Sequence, residues 1–245
     1  MLSDTSVIYE PKGKAGEYCK LAVNLYSGCS HRCEYCYAPA FTHSSLEKFT
    51  QPRPRKDILQ KINQDTKQLR GANEKGPVLL CFTCDPYQPV DEYYQLTRQA
   101  IKLLHAGNLN VMILTKGGKR AERDFDLLTD DDWFGVTMTN LNDELSLKWE
   151  PGAALPEERI NSLRRAGEKG IKTWVSLEPV LYPEITLEII RRTHSFVDDF
   201  KVGTLNYHPY SRNLDWHKFA TDVDKLLTEL SCHYYLKEDL RKWLS

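Results

Sequence analysis

Short apolar segments of strand length recur six times along the 245-residue chain, separated by polar stretches that contain Gly or Pro. Apolar runs bounded by turn-forming residues are typical of buried strands. They predict strands over 21–26, 78–84, 109–115, 133–139, 171–177 and 196–202. Between them, apolar residues recur at helical spacing, for example at Leu96, Ala100, Leu103 and Leu104. This spacing predicts helices over 55–70, 91–106, 119–129, 156–169, 184–194 and 215–230.

The alternation of strands and helices sets the fold class. Repeats of strand, helix and strand give parallel strands joined by right-handed crossovers. Six units are two fewer than a complete eight-stranded barrel contains, so an open (β/α)6 partial barrel and a flat doubly wound sheet both fit. We expect this α/β domain at 21–205, with a lead-in at 1–20 and a C-terminal helical cap at 206–245.

Composition narrows the choice of partners and compartment. The formal net charge is −1, so any contact with nucleic acid would have to be local. One local basic segment, 52–56, is either a solvated loop or a phosphate-contacting loop. No apolar run has the length of a membrane span, and no signal peptide opens the sequence. With seven cysteines, this predicts a cytoplasmic protein kept reduced and without membrane contacts.

A cysteine motif follows the first predicted strand and its Gly28 turn. Cys29, Cys33 and Cys36 have C-x3-C-x2-C spacing within one short loop. The carboxyl ends of parallel strands are where such folds bind ligands. Three thiolates can hold three irons of a [4Fe–4S] cluster and leave the fourth iron open. A zinc site with His31 or Cys19 as fourth ligand is the alternative.

The cysteine spacing, with Tyr35 just before the third cysteine, resembles the radical S-adenosylmethionine (radical SAM) superfamily. This resemblance implies an open (β/α)6 barrel and a [4Fe–4S] cluster whose open iron chelates S-adenosylmethionine (SAM). It also implies reductive cleavage of SAM to methionine and a 5′-deoxyadenosyl radical, with an external electron donor of flavodoxin or ferredoxin type. Tyr37 and the segment 83–89, Thr-Cys-Asp-Pro-Tyr-Gln-Pro, resemble the subgroup related to spore photoproduct lyase.

The resemblance also implies cofactor-binding positions at the strand ends. Thr83 or Asp85 would accept a hydrogen bond from the methionine ammonium, although an Asp-Pro turn that caps the strand is the alternative. A cation after the third strand would meet the SAM carboxylate, and strand alternation directs two threonines towards the ribose. The predicted cofactor residues are therefore Tyr35, Thr83, Asp85, Lys116, Thr137, Thr139 and Glu178. Glu150 either binds a sugar hydroxyl or pairs with Arg159.

A substrate radical needs a hydrogen-atom donor, which the lyase of this subgroup supplies from a cysteine near the end of the second strand. Cys84 is the better thiol candidate here because it lies nearest the carboxyl end, and Tyr37 could relay the hydrogen atom. Neither Cys81 nor Cys84 falls in the register of that lyase. Burial of both thiols in the core is the alternative.

These features predict a radical SAM enzyme of lyase or isomerase type that acts on a nucleic-acid base. The chemistry would be repair of a thymine-derived lesion, or hypermodification or isomerisation of a DNA base, with DNA or a nucleotide as partner. Four residues after the sixth strand either bracket a base or pack as a cap, namely His208, Tyr210, Arg212 and Trp216. Radical chemistry on a small molecule or peptide is one alternative, and a non-catalytic zinc-binding interaction module is another.

Overall fold

A computed structural model of the chain describes residues 6–69 and 76–244. Its described strands are β1 (Ile8–Tyr9), β2 (Leu21–Val23), β3 (Tyr26–Ser27), β4 (Arg53–Pro54), β5 (Val78–Leu80), β6 (Val111–Thr115), β7 (Trp133–Thr137), β8 (Lys172–Leu177), β9 (Asp199–Val202) and β10 (Tyr234–Leu236). Eight of them form one sheet in the order β1-β2-β5-β6-β7-β8-β9-β10, while β3 and β4 pair separately.

The sheet is parallel except at one edge. Every neighbouring pair from β2 to β10 is parallel, and only β1 runs antiparallel to its neighbour. The order is linear, with β1 and β10 at its edges, so the described strands do not close into a barrel. This confirms the predicted α/β class with a mostly parallel, open sheet. All six predicted strands occur, each within its predicted range.

The helices lie mainly in the connections between strands. They are α1 (Ala38–Phe41), α2 (Leu46–Phe49), α3 (Ile58–Gln68), α4 (Val90–Tyr94), α5 (Leu96–Ala106), α6 (Asp143–Trp149), α7 (Pro156–Glu168), α8 (Pro183–Thr193), α9 (Trp216–Glu229) and α10 (Glu238–Arg241). The 3-10 segments of the described ranges are Gly13–Ala15, Gly118–Asp124 and Pro209–Asn213. No helix among the described residues is both long and apolar enough to cross a membrane.

The two faces of the sheet are both buried, which explains the continuous apolar runs. Alternate strand residues face the helices and join the large core, among them Val23, Leu80 and Val175. The intervening residues face the inside of the curved sheet and form a smaller cluster of Ala22, Leu79, Met112 and Trp174. The lead-in segment covers this inner cluster, since Tyr9, Tyr18 and Cys19 pack against it.

Trp174 fills the inside of the sheet because residue 135 on the neighbouring strand is glycine. The Trp174 indole N–H donates to the carbonyl oxygen of Ile113, two strands away, at 2.9 Å. A Cβ at Gly135 would lie 2.2 Å from that indole nitrogen. The ring therefore lies across β7 and locks β6, β7 and β8 together.

All six predicted strands are longer than the observed ones, and the difference at the carboxyl end is largest for the first two. The first was predicted to reach Tyr26 and the second Cys84, but β2 ends at Val23 and β5 at Leu80. The Asn24 side chain accepts from the backbone N–H groups of Phe82 and Thr83, both at 2.8 Å. The Asn24 side chain therefore replaces the backbone hydrogen bonds between β2 and β5 at this point, and both strands end here.

Two predicted helices also differ. The helix predicted over 91–106 is divided at Gln95, which has a left-handed φ of 49°. The buried Asp91 carboxylate accepts from the Thr97 backbone N–H at 3.1 Å and so caps a new helix. The helix predicted over 119–129 is the 3-10 segment Gly118–Asp124. The predicted lead-in and helical cap each also contribute a strand, β1 and β10, to the main sheet.

Candidate active site

The cysteine loop begins at Gly28, directly after β3. Gly28 has a φ of 91°, and a Cβ there would lie 2.4 Å from the Phe49 carbonyl oxygen. The backbone N–H of Cys29 donates to the same oxygen at 2.8 Å. Glycine is therefore required for this turn, both for its backbone conformation and for the close approach to the end of α2.

Side chains and backbone from two later segments hold the loop in place. Gln88 accepts from the Ser30 backbone N–H at 3.0 Å and donates to the Gly28 carbonyl at 3.3 Å. The Gly152 N–H donates to the His31 carbonyl at 2.9 Å. The loop is thus attached to the segment after β5 and to the segment after α6. Gln88 belongs to the Thr-Cys-Asp-Pro-Tyr-Gln-Pro segment, which strand order places near the loop, but no sequence pattern identifies this side chain as the one that makes the contact.

The three thiols suit a metal centre that supplies positive charge. Burial raises the pKa of Cys29 and Cys36, and raises that of Cys33 to about 12. Such thiols ionise readily only beside a cation or a metal. Among residues 6–69 and 76–244, no three His, Cys, Asp or Glu side chains are grouped to hold one ion. A cluster of several irons takes one thiolate per iron, so three soft donors spread along one loop fit it.

The side chains of the two candidates for a fourth zinc ligand, His31 and Cys19, make other contacts. His31 is buried, its Nδ1 lies 3.5 Å from the Asp85 carboxylate, and its Nε2 lies 3.4 Å from the Arg120 guanidinium. Burial, together with the charges of Lys116 and Arg120, holds the pKa of His31 at about 4 although Asp85 opposes them. Cys19 packs against the inner cluster of the sheet.

Asp85 joins the ends of β5 and β6. Its carboxylate accepts from the Tyr87 N–H at 2.8 Å, and from the Thr115 hydroxyl and the Lys116 N–H at 2.7 Å. Burial raises the pKa of this carboxyl, but attraction to the protonated form of His31 and these hydrogen bonds outweigh burial and hold the pKa below its usual range. The oxygens are occupied by protein donors, which favours the strand-capping alternative over direct contact with SAM.

Tyr35 and Lys116 belong to a second charged network beside the cysteines. The Tyr35 hydroxyl donates to the Glu150 carboxylate. Glu150 also forms an ion pair with Arg159 at 2.6 Å, which is one of the two alternatives that the sequence predicted for Glu150. The Lys116 ammonium lies 5.7 Å from the centre of the Tyr35 ring. Burial lowers the pKa of Lys116, but the charges of Cys33, Glu150 and Asp85 outweigh it, so the ammonium stays charged near the loop.

Several buried polar atoms near the strand ends lack a partner. Ser30 Oγ, Thr139 Oγ1 and Asn140 Nδ2 have no hydrogen-bond partner among the described residues. Thr137, by contrast, is part of the scaffold, because its carbonyl accepts from the Arg159 guanidinium at 3.0 Å. Unpaired buried polar groups are costly, so these three atoms are suited to a polar cofactor such as SAM.

Glu178 lies further along the same edge of the sheet, at the end of β8. Its carboxylate accepts from the Lys237 ammonium at 2.6 Å and from the Tyr18 hydroxyl at 2.5 Å. Asn206 also donates to it, at 3.3 Å. Glu178 is thus brought together with the lead-in and the C-terminal segment. Burial and then neighbouring charges, that of Glu178 among them, raise the pKa of Tyr37, so this carboxylate also lies near the residue that follows the third cysteine. Tyr18 and Lys237 lie outside any motif, so no sequence pattern predicted their contact with Glu178.

The two predicted hydrogen-atom donors lie near each other, around the end of β5. The Tyr37 hydroxyl donates to the Phe82 carbonyl at 3.2 Å, and its ring is partly exposed. Cys84 lies beside Cys81, and both thiols belong to the buried core; burial and then the neighbouring Cys84 raise the pKa of Cys81. Thr83, predicted as a SAM ligand, lines a cavity beside Gly28.

The predicted base-bracketing residues separate into two groups. His208 and Tyr210 lie 5.2 and 5.7 Å, ring to ring, from Trp149 of α6. Trp216 packs against Phe219 within α9, in agreement with the cap alternative. The first group is tied to the cysteine loop because the Trp149 carbonyl accepts from the Glu34 N–H at 2.9 Å. Arg212 is exposed and lies in the 3-10 segment that precedes α9.

The fold and the loop define a class, an α/β protein that gathers three cysteines and buried polar groups at the carboxyl edge of an open parallel sheet. The Radical SAM superfamily model matches residues 23–197, so the chain belongs to the radical SAM superfamily of enzymes. This confirms the predicted family, and it replaces the alternative of a non-catalytic zinc-binding module.

Relatives by sequence are distant proteins of uncharacterised function. A Methanocaldococcus jannaschii protein is 27% identical over 190 residues, which covers 76% of this chain and 71% of that protein. An Acidianus two-tailed virus protein is 26% identical, covering 88% of this chain and 80% of its own length. A Mycobacterium tuberculosis protein is 29% identical over 68% of this chain, which spans only 51% of that relative.

Two solved enzymes share the fold. Spore photoproduct lyase, solved with dinucleoside spore photoproduct, superimposes with a TM-score of 0.71 at 14% identity, covering 96% of this chain and 81% of that one. SuiB of Streptococcus suis, solved with S-adenosylmethionine, gives a TM-score of 0.65 at 14% identity, covering 91% of this chain and 52% of SuiB. At these identities the likeness establishes the fold alone.

Proposed function

We propose that this enzyme holds a [4Fe–4S] cluster on Cys29, Cys33 and Cys36, binds SAM beside it, and starts radical chemistry on a nucleic-acid base. The observation that carries the cofactor part is the loop itself, where Cys33 and Cys36 lie near the Lys116 ammonium, which opposes the effect of burial on the pKa of both thiols. The bound cluster would supply the electron that cleaves SAM into methionine and a 5′-deoxyadenosyl radical.

Different residues of the chain would bind different parts of SAM. The Lys116 ammonium, which has no carboxylate within 4.0 Å among the described residues, would neutralise the SAM carboxylate. Thr139 and Asn140 carry unpartnered polar atoms that could satisfy ribose hydroxyls. Asp85 would act as a positioning residue, since it fixes the backbone at Lys116 and contacts His31 of the cysteine loop.

Exposed aromatic rings near the loop support a planar, aromatic substrate. Tyr37 is 42% exposed and Phe41 70% exposed, with ring centres 6.4 Å apart. Tyr37 directly follows the third cysteine, so a base stacked here would lie next to the proposed cluster. Stacking on exposed aromatic rings is a common way to bind bases without reading their sequence. The fold shared with spore photoproduct lyase, which was solved with a dinucleoside lesion, points the same way.

A peptide substrate is the second candidate. SuiB, which was solved with its precursor peptide, shares the fold with a TM-score of 0.64 over 88% of this chain. This chain spans 48% of SuiB. For either substrate we propose an external one-electron donor of flavodoxin or ferredoxin type and a reducing compartment such as the cytoplasm, where an iron–sulfur cluster and free thiols persist.

Anaerobic turnover distinguishes these substrates. The reconstituted enzyme would be incubated with dithionite and SAM, alone, with ultraviolet-irradiated DNA, with undamaged DNA, and with a peptide library. Mass spectrometry would follow 5′-deoxyadenosine and the digested nucleosides, with Cys33→Ala as the control. We expect 5′-deoxyadenosine that rises with DNA and a new or lost nucleoside. Stimulation by peptide alone, with unchanged nucleosides, would exclude the nucleic-acid substrate.

A further inference from the structure

A polar cavity of about 250 Å³ lies directly beside the cysteine loop, and neither Lys116 nor Glu150 lines it. The paired strands β3 and β4 form one wall, and the segment from Thr42 to Phe49 forms another. The cavity reaches Gly28, the residue before the first cysteine, and Thr83 at the end of β5. A ligand bound here would therefore touch the loop that carries the candidate metal ligands.

The lining of this cavity is strongly cationic. Lys48, Arg53 and Arg55 contribute to it, and none of its lining residues is acidic. Three positive groups in one cavity stand out in a chain whose formal net charge is −1. Thr42 and Ser44 add hydroxyl groups to the same wall. Cations together with hydroxyl donors are the groups with which proteins bind oxyanions.

The three cations are available to a ligand. The Arg55 Nε–H donates to the Tyr26 carbonyl at 3.3 Å, which orients the guanidinium. Within the described part of the chain, the two terminal nitrogens of Arg55 have no hydrogen-bond or ion-pair partner. Lys48 and Arg53 are exposed, and among residues 6–69 and 76–244 neither side chain has an ion-pair or hydrogen-bond partner. Their charges are therefore balanced by solvent ions alone, which an anionic ligand would displace.

We propose that this cavity binds a backbone phosphate of the nucleic-acid substrate and so places the neighbouring base at the cysteine loop. The inference rests on the proposed function and extends it from the base to the chain that carries it. An arginine guanidinium matches two oxygens of a phosphodiester at once, while lysine supplies a point charge. A polynucleotide could thus be fixed by its phosphate at Arg53 and Lys48, with a base near the exposed ring of Tyr37.

The test compares two double variants that remove the same charge. Lys48→Gln/Arg53→Gln removes the two exposed cations of the cavity and leaves Arg55 in place. Lys102→Gln/Arg191→Gln removes two exposed cations on α5 and α8. Fluorescence anisotropy of a labelled single-stranded 12-mer would be measured at several salt concentrations. We expect the cavity variant to bind about tenfold more weakly at low salt. The plot of log K against log salt has a negative slope, and the magnitude of this slope should decrease by about 1.4 in the cavity variant. Each lost phosphate contact with a single strand contributes roughly 0.7.

Binding of SAM provides the control for location. We expect both double variants to bind SAM as the wild type does, measured by equilibrium dialysis with the reconstituted enzyme. Weaker SAM binding in the cavity variant would assign the cavity to the cofactor and overturn the proposal. An equal loss of oligonucleotide affinity in the α5/α8 variant would overturn it too, because the effect would then reflect net charge. If the double variant does not fold, Lys48→Gln alone should give about half the change in slope.

A free phosphate or a mononucleotide could occupy the cationic cavity in place of a backbone phosphate. Calorimetric titration of the wild type with pyrophosphate and thymidine 5′-monophosphate separates it from a polynucleotide. Small anions that bind in the cavity while the oligonucleotide binds both double variants as it does the wild type would overturn the proposal. If the turnover assay then still gives a new or lost nucleoside with the wild type and with both double variants, the proposed function survives. If the wild type neither binds the oligonucleotide nor forms DNA-dependent products, both the phosphate-binding cavity and the proposed function are contradicted.

Discussion

At the scale of single residues, the clearest division is between side chains that hold the site and side chains left free to act. Asp85 belongs to the first kind, because three protein donors occupy its oxygens. Lys116 belongs to the second, since its backbone is fixed by Asp85 while its ammonium remains charged near Tyr35. Both carry polar groups at strand ends, so only their contacts distinguish the two roles.

Asp85→Asn should therefore weaken the fold as well as the site. The amide would turn one N–H group towards a backbone or hydroxyl donor, so we expect a loss of roughly 2–4 kcal/mol in the free energy of unfolding. Chemical denaturation measures this, with Asp222→Asn on α9 as a control that should change it by less than about 0.5 kcal/mol. Equal stabilities of the two variants would contradict the capping role.

The pH dependence of the same comparison is fixed by the pKa of Asp85, which is held below its usual range. A carboxyl group with a lowered pKa in the folded state stabilises the fold above its unfolded pKa of about 4. Its contribution is lost as the pH falls through the lower folded value. The difference in unfolding free energy between wild type and Asp85→Asn should accordingly shrink as the pH drops below about 4. A pH-independent difference would show that the charge of Asp85 is unimportant.

Cys84 and Tyr37 are proposed as hydrogen-atom donors to the substrate radical. Cys84→Ala should still form 5′-deoxyadenosine but should give altered or aborted substrate products, detected by mass spectrometry. Cys81→Ala, in the same thiol pair, is the matched control and should lose only about 1 kcal/mol of stability with normal products. Normal products from both Cys84→Ala and Tyr37→Phe would favour an isomerase that returns its radical to 5′-deoxyadenosine.

At the scale of elements, close approaches decide how the strands pack. Gly135 on β7 makes room for Trp174 of β8, whose indole reaches β6. Asn24 replaces the ladder between β2 and β5 beyond Val23 by accepting from two backbone groups. The Gly135–Trp174 contact fixes how β6, β7 and β8 pack, and the Asn24 hydrogen bonds fix where β2 and β5 end. Together they determine the positions of the residues at the carboxyl ends of these strands.

Gly135→Ala should destabilise the fold by roughly 3 kcal/mol or more, because the new methyl would overlap the Trp174 ring. Gly135→Ala/Trp174→Phe should recover part of this loss, since the smaller ring can move away. Gly167→Ala in α7 is the control, because its Cβ would meet only ordinary contacts at 3.7 and 3.8 Å, and it should be neutral or stabilise by up to about 1 kcal/mol. Thermal and urea unfolding would test all three, and equal losses for both alanine variants would contradict the packing argument.

At the scale of the whole molecule, the two ends of the chain close over the same edge of the sheet. Lys14 pairs with Asp239 at 2.8 Å, and Lys237 contacts Glu178 at 2.6 Å. The lead-in also packs inside the curved sheet through Tyr18. We therefore propose that the predicted lead-in, barrel and cap behave as one folding unit, with Glu178 as a structural link between them.

The iron–sulfur centre is a property of the whole enzyme that can be measured directly. Anaerobically reconstituted protein should contain about four irons and four sulfides per chain. Alanine at Cys29, Cys33 or Cys36 should abolish formation of 5′-deoxyadenosine, with a melting temperature of the metal-free protein close to that of the wild type, because the loop lies at the rim. Stoichiometric zinc without labile sulfide would contradict the cluster, and 5′-deoxyadenosine from all three variants would show that other residues hold it.

The sequence by itself determined the parallel α/β sheet and the position of the cysteine loop. Both are encoded locally, in apolar runs of strand length, in helical spacing between them, and in a C-x3-C-x2-C motif placed directly after a strand. The loop and the Thr83–Pro89 segment had to meet, because the carboxyl ends of neighbouring parallel strands lie at one edge. The ion pair of Glu150 with Arg159 could also be predicted as an alternative, since the two residues are close in sequence.

Only the tertiary structure decided which polar side chains are left for chemistry. Asp85 is occupied by residues about 30 positions later, and Glu178 by Lys237, 59 positions later. Such contacts depend on the register of the sheet and on where the terminal segments return, which no local pattern records. The cationic cavity arose in the same way, because the pairing of β3 with β4 brings Arg53 beside Ser27 and the cysteine loop.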